Sequence, residues 1–413
     1  MSGRLHSSGN KETDVSGGED RLSALPEDVI KLVLSFLPSG EAVQTCVLAT
    51  RWRNLWKSVP SLRMKSWYSA DFVNSLLRHR DPTPLHECVI FAEDDCTAEF
   101  HRDAERWLRY VVSCKVRVLR FGVFNCVEGL PLSAGALVSE HLTRLDLFRV
   151  GSDDFSLDVS GCQSLQELEI DQSVINTGTE FPKSLRLLRI RDADFLPKES
   201  RSFISAPGLV TLELADCLWW TPFLKNMPSL VTALIRIGHY CLDSSDEHNF
   251  CKVCGVRSCV HCYSIDDCVL LKGLSGATNL ELMSPSSKIF RRELKWRPMF
   301  SKLKTLLLGN WFMTANFSGL VYFLQHSPVL EILTLQLSIC CKKIKTSKVY
   351  KPKQQFLVSK HLKAVEIKYF KEVGNIDQIL NVLAYHGVQP ELINIEMKPY
   401  IECLSSQCQS HFT

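Results

Sequence analysis

Apolar residues follow two rhythms along this chain, and the change between them divides it. From residue 21 to 62 they recur at helical spacing. Val29, Ile30, Leu32, Val33, Phe36 and Leu37 form one wide face, and Val43, Val47, Leu48, Trp52, Leu55 and Trp56 form a second helix running from about Glu41. Pro26 suits a first helical position, Glu27 and Asp28 supply the negative charge that a helix N-terminus favours, and Pro38-Ser39-Gly40 ends the first helix. A unit of about forty residues closes only a small core, so part of this apolar surface is expected to meet the rest of the chain or a partner.

From Leu85 onward the rhythm is L-x-x-L-x-L, three apolar residues of which the last two alternate as a strand buried on one side requires. The best copies are Leu142/Leu145/Leu147, Leu165/Leu168/Ile170, Leu185/Leu188/Ile190, Leu209/Leu212/Leu214, Leu303/Leu306/Leu308 and Leu330/Leu333/Leu335. Weaker ones start at Leu85, Val116, Leu230, Ala277, Leu362 and Leu392. The mean spacing is about 28 residues, and the interval of 47 from Leu230 to Ala277 holds an insertion or a degenerate unit. One short strand per repeat of this length predicts an α/β leucine-rich-repeat solenoid, a horseshoe whose units bury their apolar rows only by stacking. The expected organisation is a disordered tail (1–20), a helical unit (21–62), a helical linker (63–84), the array (85–400) with a cysteine-rich insertion (241–268), and a C-terminal tail (401–413).

The segment Leu25-Pro26-Glu27-Asp28, the helix ending Leu34-Ser35-Phe36-Leu37-Pro38, and then Ala42-Val43 and Val47-Leu48-Ala49-Thr50-Arg51-Trp52-Arg53-Asn54-Leu55-Trp56 resemble an F-box of the plant F-box/leucine-rich-repeat type. Residues 361 to 398 resemble, more weakly, the FBD region found in the same family. The resemblance implies the substrate-recognition subunit of an SCF-type cullin-RING ubiquitin ligase, a non-catalytic adaptor in the ubiquitin conjugation pathway. Its box would bind a Skp-family adaptor, and its repeats would bind a target protein. Carried over by position, the implied adaptor contacts are Leu25, Pro26, Ile30, Val33, Leu37, Leu48 and Trp52, with Glu27, Arg51 and Arg53 at the rim.

On the strand face opposite the core, the fifth template position reads Val89, Arg120, Asp146, Glu169, Arg189, Glu213, Leu234, Glu281, Leu307, Thr334, Glu366 and Glu396. The third reads Glu87, Val118, Arg144, Glu167, Leu187, Thr211, Thr232, Asn279, Thr305, Ile332, Ala364 and Asn394. Acids outnumber bases in these rows. They predict an acidic face on which Asp146, Glu169, Arg189 and Glu213 are candidate contacts for a basic target segment. The alternative is a solvated sheet face with cross-strand pairs, such as Arg189 between Glu169 and Glu213.

The formal net charge of +3 over 413 residues gives no basic excess of the kind that nucleic-acid binding needs. The 17 cysteines, the lack of an apolar N-terminal segment and the lack of a membrane-length apolar run point to a reducing cytoplasmic or nuclear setting with free thiols. Cys251, Cys254, Cys259 and Cys262 form two C-x-x-C pairs that could enclose a structural zinc, although their four-residue separation is shorter than a zinc ribbon's. No cofactor is otherwise expected. Residues 342 to 353 carry a lysine run that reads as a solvated loop or an import signal, and Trp219-Trp220 reads as one packed ring and one covering ring. No Walker loop, G-x-S-x-G or H-E-x-x-H occurs. Two other functions stand beside the adaptor: a small-molecule-dependent repeat receptor, and a zinc-dependent nucleic-acid binder.

Overall fold

A computed structural model describes residues 25–65, 68–93, 97–124, 129–132, 137–151, 157–176, 179–196, 202–241, 268–284, 290, 294, 297–313, 317–337, 358–369 and 376–397. Helix α1 (Glu27–Leu34) opens after Pro26 with Glu27 and Asp28 in its first turn. Helix α2 (Ser39–Gln44) follows Pro38. The long second helix expected from Glu41 does not form; three 3₁₀ turns, Thr45–Val47, Thr50–Trp52 and Leu55–Ser58, continue the chain instead. Three of the residues here are β-branched (Thr45, Val47 and Thr50), and Ala49 is extended at φ −159°, which breaks the helix. Ile30, Leu34, Ala42, Trp52, Leu55 and Val59 close a small core of their own.

Beyond it, parallel strands stack into one 15-stranded sheet whose main path runs from Ser61–Lys65 to Ile393–Met397. The strands Glu87–Ala92, Val118–Val123, Arg144–Phe148, Glu167–Asp171 and Leu187–Arg191 each begin two residues after a template start. So do Thr211–Trp219, Thr232–Cys241, Asn279–Met283, Thr305–Leu308, Ile332–Gln336 and Ala364–Tyr369. The three apolar template positions are buried in nearly every copy, in one continuous core. Thr232–Cys241 pairs directly with Asn279–Met283, so the 47-residue interval is an insertion and not a lost repeat.

The layer behind the sheet changes along the array. In the first repeats it is helical. Helix α3 (Ala70–His79) is capped by Ser69, helix α4 (Ala98–Ser113) by Thr97, and both bury apolar stripes against the strands. In the middle repeats short parallel strands such as Val174–Asn176 and Asp194–Leu196 replace the helices. The corner between layers is made by Arg149, Gln172, Asp192 and Asp216, all left-handed with φ between 46° and 53°. The N–H groups of Arg149, Gln172 and Asp192 each donate to a carbonyl of the next repeat at 2.9–3.0 Å, so neighbouring corners hold one another in this uncommon conformation.

The array begins one strand earlier than Leu85. Val59, Leu62 and Met64 complete an additional copy of the template, placing the strand Ser61–Lys65 across the expected boundary between the helical unit (21–62) and the helical linker (63–84). Val59 closes the N-terminal core, while Leu62 and Met64 belong to the solenoid core. The outer edge of this first strand is covered by the N-terminal unit: the Arg63 N–H donates to Ser39 Oγ at 2.9 Å, and Arg63 Nε donates to the Ser35 carbonyl at 3.1 Å. Arg80, 5% exposed and without a carboxylate partner among the described residues, donates to the carbonyls of Val59, Asp81 and Thr83 at 2.9, 2.8 and 3.2 Å. At the other end the register slips. Glu366 pairs with Asn394, so Asn394 and not Glu396 occupies the fifth row, and Ile395 and Met397 are exposed. Among the described residues no further strand covers this one, so its apolar pattern does not fix its pairing.

Two outcomes are expected from this architecture. Arg80→Met removes the donors from several buried carbonyls and should cost about 3 kcal/mol, with hydrogen exchange rising first at the joint around Val59. Lys115, exposed and left-handed (φ 56°) just past α4, should tolerate glycine with a gain of about 1 kcal/mol, read as a higher melting temperature.

Candidate interaction surfaces

Helix α1 is apolar on two sides. Ile30 and Leu34 face the local core, while Val29, Leu32, Val33 and Phe36 lie exposed along a second stripe, with Phe36 70% exposed. Val47 and Leu48, 82% and 67% exposed, follow on the turn after α2. Among the described residues, nearly half of the exposed large apolar side chains fall between Val29 and Leu48, which marks this unit as the place where a partner would be met. Covering such a side chain fully is worth about 2 kcal/mol.

The adaptor contacts implied by resemblance divide on burial. Pro26, Val33 and Leu48 are exposed, and Leu25 and Leu37 are half-buried against the local core. Ile30 and Trp52 are interior, 0% and 7% exposed, and are corrected from contact residues to core residues. Val29, Leu32, Phe36 and Val47 were not among the implied contacts. Their signal is present in the sequence, because α1 carries more apolar positions than one core-facing stripe takes up.

The expectation of an acidic sheet face is corrected on two counts. The register adds a third outward row, Lys65, Phe91, Gly122, Phe148, Asp171, Arg191, Ala215, Arg236 and Met283, which brings several bases; Arg63 adds another at the start of the fifth row. Most acids of the first seven strands are also already engaged, Asp171 being the exception among the described residues. Arg63 bonds Glu87 at 2.5 Å, Arg120 lies 3.1 Å from Asp146, and Arg144 reaches Asp146, Glu167 and Glu169 at 3.0 Å each. Arg189 bridges Glu169 at 2.6 Å and Glu213 at 3.3 Å, and Arg191 holds Glu213 at 2.7 Å. The hydrogen bond to Asp146 raises the pKa of Arg144, and that to Glu213 raises the pKa of Arg191; burial raises that of Asp146 against the pull of Arg144 and Arg120. Asp146, Glu169, Arg189 and Glu213, expected to hold a target, therefore hold one another across the strands.

Past Glu213 the face changes character. The fifth row reads Leu234, Glu281, Leu307 and Thr334, flanked by Thr232, Asn279 and Thr305 on the third row and by Arg236 and Met283 on the other side. The polar side chains of the third row bond each other, Asn279 Nδ2 to Thr232 Oγ1 at 3.3 Å and Thr305 Oγ1 to Asn279 Oδ1 at 2.6 Å.

Cys251, Cys254, Cys259 and Cys262 lie outside the described residues, as does the lysine run at 342–353. Cys241 and Cys268, which flank that cysteine segment, are buried in the solenoid core. Among the described residues no cluster of His, Cys, Asp or Glu is arranged to hold a metal, and no helix is long and apolar enough to cross a membrane. Burial raises the thiol pKa of Cys88, Cys162 and Cys217. Trp220 is buried, while the side chain of Trp219 lies outside the description.

Comparison with known proteins agrees with this two-part organisation. Residues 22–64 match the family model of the F-box domain. An F-box/LRR-repeat protein of Arabidopsis thaliana is 26% identical over 360 residues, 77% of this chain and 78% of the relative. An F-box/FBD/LRR-repeat protein of the same plant is 26% identical over 356 residues, 76% of this chain and 77% of the relative. Another F-box/FBD/LRR-repeat protein is 29% identical over 232 residues, spanning 54% of this chain and 48% of the relative. The chain thus joins an F-box to an α/β leucine-rich-repeat solenoid, in the manner of the plant F-box/LRR-repeat proteins it is similar to.

Proposed function

We propose that this protein is the target-recognition subunit of an SCF-type cullin-RING ubiquitin ligase, with its F-box docked on a Skp-family adaptor and its solenoid holding the target. The observation that carries the reading is the second apolar stripe of α1. Val29, Leu32, Val33 and Phe36 stay exposed although the F-box core is complete without them, which is the form of a helix face kept for another protein. Coverage of the first strand's edge by the F-box supports it further, because a docked adaptor would then sit at a fixed end of the array. The protein works in this reading by bringing two others together, and no residue of it performs chemistry.

A receptor for an anionic small molecule finds little support on the sheet face, where the arginines from Arg63 to Arg191 are occupied by carboxylates.

Leu32→Asp combined with Phe36→Asp should lower capture of a purified Skp-family adaptor at least about tenfold, while the exposed position of both residues leaves the melting temperature nearly unchanged. Undiminished capture by the folded double variant would remove the F-box stripe as the docking surface.

A further inference from the structure

Glu281 stands apart from every other acid on the fifth row of the sheet face. Asp146, Glu169 and Glu213 are each held by an arginine, and Glu366 by Lys368 at 2.7 Å. Glu281 has no ion pair and no side-chain hydrogen bond among the described residues. On its own row it lies between Leu234 and Leu307, with Met283 and Asn279 beside it on the same strand. Arg236, two positions along the adjacent strand, is turned to Asp216 at 3.4 Å.

A half-buried carboxylate with aliphatic neighbours and no cation bonded to it is costly to keep. Its pKa is raised by burial, which outweighs the pull of Arg236, and Glu213 adds a smaller push in the same direction as burial. The strand on its other side, Thr305–Leu308, brings no titratable group. Among the described residues the charge has no bonded complement, and the surroundings say what shape one would have: a cationic head on an apolar stem, lying across Leu234 and Leu307.

We infer that Glu281 is a recognition subsite for one lysine or arginine side chain of the target, presented by a segment whose neighbouring residues are aliphatic. The inference rests on the target-binding reading of the solenoid and narrows it. The Glu213-side acids offer no such site, because a cation arriving there would have to displace an arginine already bonded. The third-row residues Thr232, Asn279 and Thr305 supply polar partners for the segment's backbone beside this position.

Selection from a phage-displayed random peptide library against the full chain tests the site. The wild-type chain should enrich peptides sharing one basic position flanked by aliphatic residues. Glu281→Gln should abolish the preference at that position, with affinity of the selected peptides falling about tenfold. Glu366→Gln should leave the motif intact, and Glu281→Lys should turn the basic position acidic. A wild-type selection with no basic position, or a basic preference that survives Glu281→Gln, overturns the proposal. Adaptor capture by the same preparations reports separately on the parent reading.

A stability measurement gives an independent check. Because ionisation of Glu281 is penalised in the folded state, Glu281→Gln should raise the melting temperature at neutral pH. The penalty is full above the raised folded pKa and vanishes below the unfolded one, so this gain should shrink as pH falls toward the ordinary carboxylate range. A lower melting temperature for Glu281→Gln at neutral pH would show that the carboxylate has a structural partner and no vacancy for a target.

Discussion

A strand of this sheet can bury its apolar row only when another strand lies beside it, so the stack must be closed at both ends. At the first strand the closure is the F-box. Val59 serves the small F-box core while opening the template whose later members, Leu62 and Met64, enter the solenoid core. Ser39 and Ser35 take the hydrogen bonds of Arg63, and Arg80 holds the Val59 carbonyl from α3. The box that would meet an adaptor is therefore also the cap that a repeat array needs. Among the described residues the last strand has no equivalent, and there the register slips and Ile395 and Met397 stay exposed.

Stacking in register also decides what the sheet face can do. It places side chains of two neighbouring template rows within reach of each other, so Glu87 and Arg144 of the third row join Arg63, Arg120, Asp146, Glu169, Arg189 and Glu213 of the fifth in a continuous alternation of charge across seven strands. Each half-exposed pair contributes at most about 1 kcal/mol. Their larger consequence is specificity of pairing, since a slip by one residue would turn a strand's charges toward the apolar core. The same pairing occupies most of the charges in the first seven strands, so the proposed recognition of a target falls to the more neutral half around Glu281.

Much of the solenoid was legible because its signal is repeated. Each L-x-x-L-x-L copy from Leu85 to Leu362 placed a strand two residues on, whether the copy was strong or weak. The first copy was hidden because Val59 and Leu62 fall inside the F-box motif, so one stretch of sequence carries two patterns. The final register could not be read, since an edge strand exposes the residues whose burial would reveal it. On the sheet face the alternative of cross-strand pairs, with Arg189 between Glu169 and Glu213, is the one the structure has; the acidic reading counted two template rows where the strands present three, and composition does not tell which charges neutralise each other. Ile30 and Trp52 failed as contacts for a related reason: apolar residues at helical spacing do not say which of two sides is inward.

The central claim is that the two surfaces are separate, with α1 reserved for an adaptor and the sheet face left open for a target. Hydrogen exchange of the full chain with and without a purified Skp-family adaptor tests it most directly. The account predicts new protection across Val29 to Leu48 and unchanged exchange in Asn279–Met283 and Thr305–Leu308. Protection of those two strands without any at α1 would contradict it.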